Sequence, residues 1–391
     1  MIDRRWTSIV LLTIGLTASS EIARAQSVSD VLGFLVTNQS IQTGDFDRDR
    51  AAAQAASETI SRILLANLAT LPVTSSSSAF VYRLNPDIGT EERATTTFAP
   101  FLVERALTAG RHQASLGVTF QHLHFTSLDG RSLRDGTLVT TANQFVDESA
   151  PFDVDQLALN IDTSIVTLYG SFGVTERMEL GFAVPTVTLQ VDGSRVNTYR
   201  GQPFTQARAT ATAVGFADTV VRAKYLLYDD GRARTAVAGL VRLPTGSERD
   251  LLGTGSTSLR LSAIESFEGD ALSSHLNAGF TIGGVARELS YGGALAVAVT
   301  RRMTASGEIV GRWLGDAGRL ITSTAAHPRL VGVRTQRLLT DDSAVNLVSL
   351  VPGLKWNGGD TWVVAANVTV PLRKQGLVSP ITPFVGLDYT F

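Results

Sequence analysis

From about residue 79 onward, apolar side chains return at every second position in short runs, and Gly, Asp, Asn or Pro clusters close each run. A period of two is the side-chain repeat of a strand with one apolar and one polar face. Tyr389, Leu387, Val385 and Pro383 share one face of the last run; Thr390, Asp388, Gly386 and Phe384 share the other, and Phe391 follows. Leu272, Leu276, Ala278, Phe280 and Ile282 oppose Ser273, His275, Asn277 and Thr281. Tyr291, Leu295, Val297 and Val299 oppose Gly292, Ala294, Ala296 and Ala298. In the run from Arg177 the apolar set is Met178, Leu180, Phe182 and Val184, then Val187, Leu189 and Val191, so parity flips at Pro185 and predicts a bulge there.

Strands are predicted to start near 79, 94, 112, 156, 177, 214, 231, 256, 271, 288, 303, 344, 361 and 380. That makes about fourteen, or twelve if the weakly patterned first pair (Ala79–Leu84 and Ala94–Arg105) lies outside the sheet. Trp356 and Trp362 flank the turn Asn357-Gly358-Gly359-Asp360, Tyr225 and Tyr228 precede Asp229-Asp230-Gly231-Arg232, and Phe267 precedes Glu268-Gly269-Asp270. Aromatics gathered beside turns fit a membrane-interface girdle better than a soluble core. Connections near 108, 174, 229, 268, 301 and 358 are short, whereas those near 127–155, 193–213, 244–255 and 315–343 are long. Short periplasmic turns and long outer loops are the convention of bacterial barrels. The expected fold is all-β, a transmembrane antiparallel up-and-down β-barrel over residues 78–391.

Two segments precede it. Arg4-Arg5, an apolar run from Ile9 to Leu16 and Ala23-Arg24-Ala25 predict a signal peptide over 1–25. Val28, Val31, Leu32, Leu35 and Val36 fall on one helical face, with Ser27 or Ser29 as cap. A second helix is expected from about Asp47 to Leu71, ending at Pro72. This helical segment, 26–77, could plug the lumen, pack beneath the barrel or reach a periplasmic partner, and the pattern does not choose. Asp45-Phe46-Asp47-Arg48-Asp49 opens like a calcium loop, but Arg50 and Ala56 stand where the pattern requires Gly and Glu. Acidic residues favouring the second helix's N-terminus explain it better.

The chain has no cysteine, which removes disulfides and thiolate chemistry. A net charge of −2 gives no reason to expect nucleic acid. Among five histidines, His122 and His124 stand at i, i+2 near Ser127 without a third ligand at a diagnostic spacing, and no Gly-x-Ser-x-Gly occurs. Polar residues at a strand's outer rim account for them. No cofactor, metal or catalytic residue is expected, and an outer-membrane hydrolase is the weakest of the readings considered.

A charge facing lipid near mid-membrane costs about 2–4 kcal/mol. Parity with that cost sends Asp218, Arg222, Lys224, Arg234, Arg242, Arg260, Glu308, Arg312, Lys355 and Asp388 into the lumen, either as a constriction or as a salt-bridged filling.

Val214-Gly215-Phe216-Ala217-Asp218 through Lys224-Tyr225, then Leu243-Pro244-Thr245-Gly246 and Gly253-Thr254-Gly255, resembles the outer-membrane transporter-like family "MetA-pathway of phenol degradation" over about 160–391, with Ala217 in place of that pattern's second glycine. The resemblance implies a barrel in the bacterial outer membrane and uptake of small hydrophobic or aromatic solutes. A structural or adhesive barrel is the alternative. Expected partners are outer-membrane lipid, a small solute and, through the Phe391 strand, the barrel-assembly machinery.

Overall fold

The computed structural model describes residues 26–36, 54, 57–66, 82–85, 90–93, 95–315, 317–359 and 361–391. The expected signal peptide, the Asp45–Asp49 stretch and much of the expected second helix lie outside these residues.

Twelve strands close into one antiparallel barrel. They are β1 (Ala114–Phe125), β2 (Asp153–Gly173), β3 (Met178–Tyr199), β4 (Thr219–Asp229), β5 (Ala233–Leu243), β6 (Ser258–Glu268), β7 (Leu272–Gly283), β8 (Arg287–Thr300), β9 (Met303–Gly315), β10 (Val345–Gly359), β11 (Trp362–Pro371) and β12 (Thr382–Thr390). Neighbours in sequence are neighbours in space, and closure comes from β12 on β1, with Leu387 opposite Val118. The two further strands expected at 79 and 94 are not in the barrel. Tyr82–Asn85 and Thr90–Arg93 pair only with each other, and residues 95–110 contain no strand.

Outward positions carry Leu116, Val118, Phe120, Leu168, Phe182, Val221, Leu276, Phe280, Leu295, Ile309, Leu354, Val364 and Val385, all well exposed. An apolar belt of this extent around a closed sheet has lipid as its solvent, as on outer-membrane barrels. No helix among the described residues is long and apolar enough to cross a membrane. At the end holding Phe391, Trp356 and Trp362 lie outward, and the Trp362, Tyr389 and Phe391 rings follow one another at 4.6 and 4.7 Å. The tight turns gather at this end. Asp230 makes one of them: its Oδ1 accepts from Arg232 and Ala233, holding the carboxyl below its usual range, and Gly231 takes φ 93°.

β2 and β3 have 21 and 22 residues, about twice what a crossing strand needs. Their pairing runs unbroken from Asp153↔Tyr199 to Gly173↔Glu179, so the bulge expected at Pro185 does not exist. Pro185 points inward in step with Ala183 and Val187. The apolar face changes sides because the surroundings do. Below Pro185 the outer face meets lipid (Leu180, Phe182). Above it the outer face is Thr188, Gln190 and Asp192, while Val187, Leu189 and Val191 are buried against an internal core. An irregularity does occur in this strand, higher up, where it pairs with Gln202–Phe216 at Arg195/Val196.

That core closes the outer half of the barrel. Helix α1 (Val28–Val36), capped by Ser27 Oγ on Asp30 N at 3.1 Å, buries Val31, Leu32 and Leu35 beside Ile60, Ile63 and Leu64 of the helical stretch 57–66. Facing them are Leu157, Leu159, Ile161, Val187, Leu189 and Val191 from β2 and β3. Each fully buried aliphatic side chain contributes on the order of 1.5–3 kcal/mol. Two hairpin-like additions, Val139–Phe145 with Val333–Asp341 and Arg319–Ala326, and Gln202–Phe216 on β3, extend the sheet outward around this core.

If Pro185 marks the outer edge of the lipid belt, Phe182→Arg will lower stability by about 2–4 kcal/mol in vesicle-refolding titrations while Thr188→Arg changes it little. Equal losses at both positions would contradict that boundary.

Candidate functional site

The lumen holds a second occupant below the helices. Residues 95–110 leave the turn end of the barrel, rise to mid-height at Leu102–Glu104 and return to β1. An irregular backbone inside a membrane protein must have its peptide groups satisfied by something other than water. Here side chains of the barrel wall satisfy them. Glu308 on β9 accepts from the N–H groups of Phe101, Leu102 and Val103, the last two at 2.8 Å. Asn277 on β7 accepts from Glu104 N–H and donates to its carbonyl at 3.1 Å. Ser266, Glu179 and Thr304 take the N–H groups of Ala106, Ala109 and Phe98 at 2.9, 2.8 and 3.0 Å.

Carbonyls of the segment are met by ammonium groups. Lys224 Nζ donates to Arg105 O and Leu107 O at 3.2 and 2.8 Å, and Lys355 Nζ donates to Pro100 O at 3.2 Å while lying 4.9 Å from the Phe101 ring centroid. The segment adds its own charges: Arg105 pairs with Glu268 at 3.1 Å, and Glu104 binds Arg222. Arg222 also reaches Glu179 at 3.1 Å.

All ten residues expected inside the barrel point inward, Arg260 being half-buried and the rest buried, but they divide among five tasks. Arg222, Lys224, Glu308 and Lys355 hold the internal segment. Arg234 pairs with Asp229 at the β4–β5 turn at 2.9 Å, and Asp388 accepts from Tyr169 Oη. Asp218 accepts from Gly246 N, Thr254 N and Thr254 Oγ1 at 3.1, 2.8 and 2.9 Å, so it fastens the outer loop between β5 and β6. Thr245 Oγ1 joins the same knot, donating to Ala217 O and accepting from Thr219 N at 2.9 Å each. A β-carbon at Gly253 would fall 2.4 Å from Asp218 Oδ1 and 2.7 Å from the Gly246 Cα, so these glycines permit the close approach. The Asp, Leu-Pro-Thr-Gly and Gly-Thr-Gly elements thus form one local clasp.

The remaining three, Arg242, Arg260 and Arg312, meet above the segment. Arg260 Nη2 and Arg312 Nη2 both donate to Glu288, the first at 2.7 Å, and Arg312 Nη1 donates to Ala66 O of the helical stretch at 2.7 Å. With Arg222 these guanidiniums border a cavity of about 150 Å³ whose floor is Leu102, Val103 and Glu104. A second cavity of about 120 Å³ on the β1 and β10–β12 side shares Leu102, Val310, Leu347 and Ser349 with it.

Parity alone exposes Glu179, Glu268 and Glu288, which lie on inward faces and were not singled out in the sequence. Glu104 and Arg105 were missed for another reason, since their stretch reads as a strand. The histidine pair is outside the lumen. His122 and His124 extend the outward row of Leu116, Val118 and Phe120; His122 Nδ1 lies 3.0 Å from Ser164 Oγ and His124 binds Asp162. The hydroxyls that meet this pair are those of Ser164 and of Ser379, which accepts from His124 N at 3.2 Å. Among the described residues no group of three or more His, Cys, Asp or Glu is placed to hold a metal ion.

No family model matches the chain, and no curated protein matches it. Among solved structures it is similar to the COG4313 outer membrane channel of Pseudomonas putida F1 at 12% identity and TM-score 0.47, covering 73% of this chain and 98% of that one. It is also similar to the KdgM porin in complex with oligogalacturonate, at 10% identity and TM-score 0.35, covering 70% and 99%. The CymD monoaromatic hydrocarbon channel aligns at 9% identity and TM-score 0.34, covering 72% and 89%.

Proposed function

We propose that this chain is an outer-membrane channel for small solutes that rests in a closed state, with residues 95–110 as its inner closure and the helices as its outer one. The observation that carries this is the space left between them: two adjoining cavities, about 150 and 120 Å³, inside a lumen that a merely structural barrel would have filled. The inner closure combines small apolar contacts, Phe101 on Phe384 and Ala106 on Leu226 and Ile264, with replaceable polar contacts to its backbone. Each of its peptide groups that loses a partner in the lumen costs roughly 1–3 kcal/mol. Wetting of the lumen supplies competing partners and lets the segment move.

Reconstituted in planar bilayers, the wild-type chain is expected to pass small, infrequent currents. Glu308→Ala strips the acceptor from three N–H groups and should raise the open fraction by an order of magnitude or more, because roughly 1–3 kcal/mol per group is at stake. Silent bilayers for both proteins, together with no solute uptake by liposomes, would refute the channel.

We take the chain to be non-enzymatic, with the His122–Ser164 and His124–Asp162 contacts as a polar rim above the lipid belt. Uptake of hydrophobic or aromatic solutes, and distant membership of the MetA-pathway transporter-like family, are supported by the mixed apolar and cationic wall of the larger cavity and by the clasp that its matching residues build. The β12–Phe391 stretch is the part we assign to the barrel-assembly machinery: Phe391 is 70% exposed, its N–H donates to Ala114 O at 2.9 Å, and its ring stands edge-on to Tyr389. Phe391→Ala should lower the folded fraction recovered in outer membranes, read by heat-modifiable gel migration, while leaving refolding in detergent unchanged. An unchanged yield in membranes would remove that assignment.

A further inference from the structure

We infer that the larger cavity is a binding site for a small amphipathic carboxylate, an anion whose apolar body is about one ring in size. The inference rests on the channel reading and names the solute class it carries.

Charge decides the first half. Four guanidinium-bearing residues, Arg222, Arg242, Arg260 and Arg312, line the cavity, and among the described residues Glu104 is the one carboxylate that lines it with them. Glu104 is taken by Arg222, which Glu179 also holds, and Glu288 just above is divided between Arg260 and Arg312. The Nε of Arg312 is buried with no hydrogen-bond partner. Like charges gathered in a membrane-spanning interior repel one another strongly because little water screens them. An anion placed among them relieves that repulsion, and a carboxylate can accept two parallel N–H groups from one guanidinium.

Size and wall decide the second half. Beside the guanidiniums on the same inward faces the lining is Leu240, Ile264, Val310 and Leu347, with Leu240 across from Arg260 and Leu347 across from Arg312, and Val103 from the internal segment. An apolar cavity of roughly 150 Å³ accepts benzene. The free volume here is about 150 Å³, so one ring fits and a disaccharide does not. Ser262, Ser290 and Ser349 add hydroxyls to the lining that can orient a ring hydroxyl. A neutral hydrocarbon would gain nothing from the guanidinium row, and an ammonium would add to its repulsion.

Binding is measured on the whole folded chain in detergent micelles, by calorimetry, with benzoate, benzyl alcohol and benzylammonium as probes at neutral pH. Benzoate is expected to bind roughly ten- to hundredfold more tightly than benzyl alcohol, the worth of one charge-assisted hydrogen bond, with benzylammonium weakest. Arg242→Gln should abolish most of that preference while changing benzyl alcohol affinity little. Because a buried arginine variant can fail to fold, Ser262→Phe serves as a second test: it fills the cavity from a half-buried position and should weaken benzoate and benzyl alcohol alike. Equal affinity for benzoate and benzyl alcohol, preference for the cation, or benzoate binding that survives Ser262→Phe overturns the proposal. Since the readout is binding and not passage, silent bilayers with intact benzoate binding would reject the channel alone, and open channels with no benzoate binding would reject this site alone.

Discussion

A peptide group inside a membrane must find a partner within the protein, and the lumen of this barrel is built around that requirement. The wall strands satisfy one another through the closed ladder, leaving their inward side chains free for other work. Residues 95–110 enter the same space with no ladder of their own. Glu308, Glu179, Asn277, Lys224 and Lys355 supply the acceptors and donors that a neighbouring strand would otherwise provide. The buried charges are therefore explained mainly by the backbone they serve. An unpaired lumen carboxylate would be a liability; one that accepts from three consecutive N–H groups is a clamp.

Two different physical solutions close the two halves. The outer half, above the lipid belt, buries aliphatic helices against the extended β2–β3 hairpin, the way a soluble core forms. The inner half adds polar contacts along the backbone of an irregular segment to two small apolar clusters, one at Phe101 and one at Ala106. Apolar packing has to be lost over a broad surface before anything moves, whereas a few hydrogen bonds can be exchanged for water one at a time. On the channel reading proposed above, the inner closure is the one that moves, and the cavities between the closures are the space its displacement would connect.

Alternation made most of the barrel legible. The cost of placing charge in lipid and the gain of placing Leu, Phe and Val there leave little choice about which face is which, so the outward row on β12 and the inward side of Arg222, Glu308 and Lys355 follow from parity. The same reasoning failed where the solvent changed along one strand. Val187, Leu189 and Val191 look like a parity break after Phe182, because sequence shows that an apolar face has switched but not whether the chain kinked or the lipid ended. It failed again over residues 94–105, whose weak alternation reads as a strand although their partners are side chains far away in sequence.

What the chain determined by itself was a barrel, its lipid-facing belt, its girdle of Trp and Tyr beside tight turns, and a set of charges with nowhere to go but inward; all of these follow from local period and transfer cost. Only the tertiary structure decided what those charges meet. Asp218 fastens a loop, Arg234 a turn, Glu308 a segment some two hundred residues earlier in the chain, and Arg242, Arg260 and Arg312 a shared cavity. Side-chain period gives a direction for each residue but no distance to any other, and which groups come within hydrogen-bond reach is set by the closure and stagger of the whole ring.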